Sequence, residues 1–243
     1  VAIAPNTAAD FVTFGFTMAD NPALTADYEG VIGTNTVNIF VPSTTDITAL
    51  KASFTTSDNV QSVKIGTDVQ ITGVTVNNFT TTLAYTVTAE DGTTTKNYNV
   101  TVTKYYELPL TESDWTTVPP TNWSKVGTAW SKSTTSYAGG TSPELKLNYT
   151  GCVSGDKMIT PPLNTEGLTS LNLDFRYMLD DYGVGATLKV QSSANGTTWT
   201  DESWSLATIS NNNWPATAVK TTITHNLGAV TYIAFTIVGN PNQ

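Results

Sequence analysis

Short alternations of apolar and polar residues, broken every few positions by Gly, Pro, Asn or Asp, run along the whole 243-residue chain. Phe14 and Phe16 flank Gly15, and Asn21-Pro22 closes that stretch. Val37, Ile39 and Val41 alternate with Asn38 and Phe40 as far as Pro42. Leu50, Ala52 and Phe54 alternate with Lys51 and Ser53, and Val63, Ile65, Val69 and Ile71 follow. Side chains two apart share a face of a strand, so each stretch predicts a short strand with one apolar side. The clearest element is a hairpin, with Leu83, Tyr85 and Val87 facing one way and Tyr98, Val100 and Val102 returning. Its turn is placed at Asp91-Gly92, because a tight hairpin turn needs positive φ. About seven such strands in about ninety residues predict an immunoglobulin-like sandwich.

The second half has longer strands. Leu171, Leu173, Phe175, Tyr177 and Leu179 make one apolar face, with Asn172, Asp174, Arg176 and Met178 on the other. That pattern predicts a strand with one wet face. Ala186, Leu188 and Val190 begin another strand, and Asn195-Gly196 turns it back towards Trp199. Val219, Thr221, Ile223 and His225 start a further one. Val230 to Val238 is apolar on both parities, which predicts a central strand covered on both faces. No helical period of useful length occurs. All six tryptophans lie after the stretch Lys104 to Pro109, and this shift in composition marks a boundary. The expected organisation is an extended segment 1–12, a first sandwich 13–104 and a second sandwich 105–243.

Composition sharpens the class. Only 13% of residues are charged and 47 are Thr, a β-branched residue that fits a pleated, half-buried surface. The formal net charge is −9 with eleven Lys and Arg in total. These are too few and too scattered for a phosphate-tracking stripe or for an anionic bilayer, so neither nucleic acid nor an anionic membrane surface is expected as a partner, and no membrane insertion is expected. No apolar run approaches the ~18 residues of a membrane-spanning helix. The single cysteine, Cys152, rules out an internal disulfide. A Thr-, Ser- and Asn-rich chain with one thiol fits a bacterial protein that is secreted or held at the cell surface. A chain beginning at Val1 is expected to be a mature product or a fragment.

Two family resemblances follow from particular runs. Phe14-Gly15-Phe16, Asn21-Pro22-Ala23-Leu24, Asp27, Gly30, Val41-Pro42, Tyr85 to Gly92 and Tyr98 to Val102 resemble the immunoglobulin-like modules of Bacteroidota-type surface proteins. That resemblance implies a spacer or packing domain with no catalytic residues. Pro119 to Trp123, Ile159 to Asn164, Leu171 to Tyr177, Ser193 to Thr200 and Tyr232 to Gly239 resemble the cleaved-adhesin or choice-of-anchor J jelly roll, related to MAM-type sandwiches. It implies adhesion to surfaces, sugars or proteins, or an accessory role. The family's final strand, with an aromatic and paired Asp residues, does not follow here before Gln243. Either the chain is truncated or a strand from elsewhere completes the sandwich, with Val1 to Val12 as a candidate donor to a neighbouring subunit.

Catalysis is not expected. His225 is the only histidine, read as partly buried and hydrogen-bonded, and no Gly-x-Ser-x-Gly elbow accompanies it. Cys152 has no basic neighbour to stabilise a thiolate. The acid pairs Glu90-Asp91, Asp180-Asp181 and Asp201-Glu202 are read as solvated turns rather than as two acids facing across a cleft. Asp156, Asp180 and Asp181 form a candidate Ca²⁺ set, since hard cations take loop carboxylates; no other cofactor is expected. Trp204, Trp214, Tyr137 and Tyr182 are the candidate ligand-binding aromatics, with Trp204 and Trp214 flanking a groove in a polar stretch. The fold class is therefore all-β, an immunoglobulin-like sandwich followed by a jelly-roll β-sandwich. The leading reading is a non-catalytic structural or adhesion protein, a filament or stalk subunit whose partners are its own copies or other surface proteins. The alternatives are a carbohydrate-binding module with a polysaccharide partner, and the accessory region of a larger secreted hydrolase.

Overall fold

The computed structural model describes residues 4–148, 150–179, 185–208 and 215–239, and every regular element among them is a β-strand. The chain divides into two units, Val1–Tyr105 and Tyr106–Gln243.

The first unit contains β1 (Phe11–Phe16), β2 (Tyr28–Glu29), β3 (Val31–Ile32), β4 (Thr36–Pro42), β5 (Leu50–Lys51), β6 (Ser53–Thr56), β7 (Ser62–Ile65), β8 (Asp68–Val69), β9 (Val76–Asn77), β10 (Leu83–Thr88) and β11 (Thr95–Tyr105). They form a six-stranded sheet in the order β3-β4-β11-β10-β7-β8, a three-stranded sheet β2-β1-β6 and the pair β5-β9. The alternating residues Val37, Ile39, Val41, Tyr85, Val87, Tyr98 and Val100 from the large sheet are all buried. They meet Phe11, Phe14 and Phe16 of β1. Phe14 stands edge-on to Tyr85 at 5.3 Å between ring centroids, and Phe11 lies 4.9 Å from Tyr98. Such aromatic pairs add about 0.5–1.5 kcal/mol each beyond area burial.

Three features of this unit depart from the local sequence pattern. The β10–β11 loop is wider than a two-residue turn, since the last register pair is Thr88 with Thr95. The Asp91 carboxylate accepts from the backbone N–H groups of Thr93 and Thr94, Ala89 N–H donates to the Thr94 carbonyl, and Gly92 takes φ +71°. The run Leu50 to Phe54 is split, because β5 pairs with β9 and β6 pairs with β1. The Asn21 side chain occupies the break, donating to the Lys51 carbonyl and accepting from the Lys51 N–H. The strand β11 pairs in parallel with β4, Val100 opposite Val37 and Val102 opposite Ile39. Within residues 4–12, Ala9 and Phe11 are buried in this unit's own core, and the Asn6 N–H donates to Glu90.

The second unit contains β12 (Ser124–Val126), β13 (Trp130–Ser133), β14 (Glu144–Leu147), β15 (Lys157–Ile159), β16 (Leu163–Asn164), β17 (Leu171–Tyr177), β18 (Ala186–Ser193), β19 (Thr200–Ala207), β20 (Thr217–Ile223) and β21 (Val230–Gly239). Its main sheet runs β12-β15-β21-β18-β19, with β16 also paired to β21. The pairs β13-β14 and β17-β20 complete the unit. As the sequence predicts, β21 is central and buried on both parities. The strand β17 alternates between half-buried Leu171, Leu173, Phe175 and Tyr177 and exposed Asn172, Asp174 and Arg176. Phe175 packs edge-on against Phe235 of β21 and Trp204 of β19, each at 5.0 Å, which fixes the inner side of the main sheet. The expected incomplete final strand concerns residues 240–243, which lie outside the described residues.

Candidate functional site

The side of the main sheet opposite Phe175 carries a different set of side chains. Lys157 of β15, Thr236 of β21 and Lys189 of β18 are register partners in one row, and Gln191 of β18 stands opposite Asp201 of β19. Partners in antiparallel register point to one face, and their hydrogen bonds agree. The Lys157 ammonium donates to Gln191 Oε1 and to Thr236 Oγ1, the latter at 3.3 Å. Gln191 Nε2 donates to Asp201 Oδ1 at 2.6 Å, and Lys189 pairs with Asp201 Oδ2. Trp199 stands just before β19, and Lys157 Nζ lies 5.3 Å from its ring centroid. The turn that delivers Trp199 is built locally. Ser193 Oγ accepts from the N–H groups of Asn195 and Gly196, while Asn195 Oδ1 accepts from those of Thr197 and Thr198.

The electrostatics of this face are uneven. Asp201 lies below the usual carboxylate range, chiefly because Lys189 and then Gln191 donate to it. Burial pushes the Lys157 ammonium down, with Asp201 pulling the other way. No described carboxylate lies within ion-pair distance of Lys157. The result is an indole, an ammonium, an amide and a carboxylate gathered on one face. These groups suit a polyhydroxylated ligand, with a platform for stacking and donors and acceptors at its edge.

Among the described residues, those singled out by the sequence fall in separate places. Trp204 is on a strand rather than in a loop, because alternation through β19 turns residues 202, 204 and 206 inward. It packs against Phe175 and, at 5.9 Å, against Tyr177. Tyr137 is 65% exposed on a loop braced by Arg176 Nε donating to the Ala138 carbonyl and the Ala138 N–H donating to Glu144. Asp156 is buried and accepts from the Val153 N–H. Trp214, Tyr182, Asp180 and Asp181, and with them the expected groove and Ca²⁺ set, lie outside the described residues. Among the described residues no cluster of His, Cys, Asp and Glu is arranged to hold a metal. Trp199, Lys157 and Gln191 were not singled out by the sequence. The available signal was the Asn195-Gly196 turn, which fixes β18 against β19.

Two expectations about titratable groups are corrected. Asp201-Glu202 is part of β19, not a turn, and the Glu202 side chain is fully buried. Its Oε1 accepts from Ser192 Oγ at 2.6 Å and the His225 N–H at 3.1 Å; its Oε2 accepts from the Thr224 N–H at 3.1 Å and meets His225 Nδ1 at 3.2 Å. Burial pushes this carboxyl up, but the donors from Ser192, Thr224 and His225 outweigh it and hold it below the usual glutamate value. The His225 ring is 55% exposed instead of partly buried, because the β20–β21 turn carries it past the end of the strand. With Ser192 Oγ directed at the carboxylate and not at the imidazole, the group is a structural clasp and not a nucleophile–base pair. Cys152 is buried, and burial followed by the Asp156 charge pushes its thiol up to about 11, far from thiolate chemistry.

Comparison with known proteins gives a likeness over part of the chain. Residues 16–102 match the family model described as SGBP, N-terminal. That match lies inside the first unit. No curated protein matches the chain at a significant level. Among solved structures, one from Bacteroides thetaiotaomicron, provisionally described as a glycoside hydrolase, is 16% identical, covers 97% of this chain and 92% of its own, and has a TM-score of 0.37. Another, from a study of promiscuous specificity in carbohydrate-binding modules of the β-sandwich superfamily, is 11% identical over 82% of this chain and 87% of its own, with a TM-score of 0.34.

Proposed function

We propose that this chain is a non-catalytic, cell-surface glycan-binding protein whose second unit presents the ligand face. The observation that carries the reading is the match of residues 16–102 to the SGBP N-terminal model, SGBP denoting surface glycan-binding protein. It favours the carbohydrate-binding alternative over a filament subunit. The outer face at Trp199, Lys157, Gln191 and Asp201 supplies chemistry suited to sugars. The clasped Glu202 and the inert Cys152 leave no activated nucleophile among the described residues.

The test is affinity electrophoresis of the whole chain through gels carrying plant, algal, fungal and host polysaccharides, paired with a reducing-sugar assay on the same polymers. The expected result is retarded migration in at least one polymer with no release of reducing ends. Unretarded migration throughout the panel would overturn the glycan-binding reading; steady release of reducing ends would overturn the non-catalytic part of it.

A further inference from the structure

We infer that the outer face of the second unit takes an acidic glycan, with a sugar carboxylate seated on Lys157 beside Trp199. The inference rests on the glycan-binding reading and gives it a substrate class.

Lys157 is the reason. Its ammonium is half-buried, yet its hydrogen-bond partners are neutral, an amide oxygen and a hydroxyl. Three other lysines pair with carboxylates, Lys96 with Asp10, Lys189 with Asp201 and Lys220 with Asp174, whereas Lys125, Lys132 and Arg176 donate to backbone carbonyls. The chain carries twenty Asp and Glu against eleven Lys and Arg, so a half-buried lysine left without one runs against its overall charge. A partly desolvated cation gains most from an arriving anion, because a charge-assisted hydrogen bond is stronger where water is reduced. Gln191 cannot neutralise the ammonium, but it orients it, since its own amide is anchored on Asp201.

The anion is identified by what lies beside the ammonium. Lys157 Nζ sits over the half-buried Trp199 ring, whose apolar surface is adjacent to the charge. Asp201 is 47% exposed at its side chain and remains an acceptor for hydroxyl groups. Lys189 occupies one oxygen of Asp201 and is itself the second cation of the face. Lys157, Lys189 and Asp201 together leave one positive charge on a chain of net charge −9. A free inorganic anion would use the cations but not the indole. A neutral sugar would use the indole but leave the half-buried ammonium without a counter-charge. A uronic acid uses both, with its ring against Trp199 and its carboxylate on Lys157.

The experiment uses the whole chain, polygalacturonan and the same polymer after carboxyl reduction, with titration calorimetry and affinity gels as readouts. A neutral glucan and a neutral mannan are run alongside. The wild type is expected to bind polygalacturonan at least about ten-fold more tightly than its carboxyl-reduced form. Binding is expected to weaken as NaCl rises. Lys157→Met, checked for an unchanged thermal transition, is expected to lose about ten-fold or more towards the acidic polymer. The comparison of the two polymers on the wild type stands even if that variant folds poorly. Equal affinity for the native and reduced polymers, or wild-type affinity in a folded Lys157→Met, would overturn the acidic-sugar inference. Binding of the neutral polymers with no preference for carboxyl groups would do the same while leaving the glycan-binding reading intact. Absence of binding to every polysaccharide would remove both.

Discussion

Glu202 shows what one buried acid does in this molecule. Strand alternation draws it inside, and the Ser192 hydroxyl, two backbone N–H groups and the His225 ring satisfy both of its oxygens. Glu202→Gln keeps the shape but turns an N–H₂ group towards donors. Leaving such groups unpaired costs about 1–3 kcal/mol, and equilibrium denaturation followed by tryptophan fluorescence should report a loss of that size. The pH dependence follows from the same residue. A carboxyl held below its unfolded value contributes stability that is present above the unfolded pKa, about 4.3 for Glu. That contribution is lost as pH falls through the folded value. The wild type should therefore lose stability on acidification below about pH 5, and Glu202→Gln should flatten that limb. Asp91, pushed down to about 2 first by the Thr94 hydroxyl and then by the Thr94 and Thr93 N–H groups, gives the first unit an acid limb of its own at lower pH. Little of this was legible beforehand. The stretch Asp201 to Ser205 looks polar, and only Trp204 and Leu206 at even spacing betray a strand. Lys157 reaches Gln191 across 34 residues of sequence, a contact that no local pattern encodes.

Elements made by neighbouring residues were the readable ones. The β10–β11 hairpin, the Asn195-Gly196 turn and the two-sided burial of β21 all follow from period two and turn chemistry, which act locally. The parallel pairing of β4 with β11 was invisible because the partners come from opposite halves of the first unit. The break inside Leu50 to Phe54 was invisible because its cause, the Asn21 side chain, lies thirty residues away. Gly15 illustrates an element that depends on a missing side chain. A Cβ there would sit 2.4 Å from the Tyr28 carbonyl oxygen and 3.2 Å from Glu29 Cα, where β1 and β2 cross closely. Gly15→Ala must push the two strands apart, and forced overpacking of this kind costs about 1–3 kcal/mol. Its thermal transition by far-UV circular dichroism should fall by several degrees. An unchanged transition would mean that β2 yields freely and that its pairing contributes little.

At the scale of the whole molecule, the tryptophans divide the signal as the fold divides the chain. All six lie in residues 106–243, whereas the aromatic core of the first unit is built from Phe and Tyr alone. Among the described residues each unit buries its own apolar clusters, one in the first and two in the second. Tryptophan fluorescence therefore reports the second unit, while circular dichroism reports both. Separate cores predict separable unfolding, because domains with their own buried surface behave as their own cooperative units. Gly15→Ala should move the first unit's part of the dichroism transition and leave the fluorescence transition in place. Glu202→Gln should move the fluorescence transition. If either variant shifted both probes together, the two units would unfold as one body. Binding at the Trp199 face would then depend on the stability of the first unit as well as on the second.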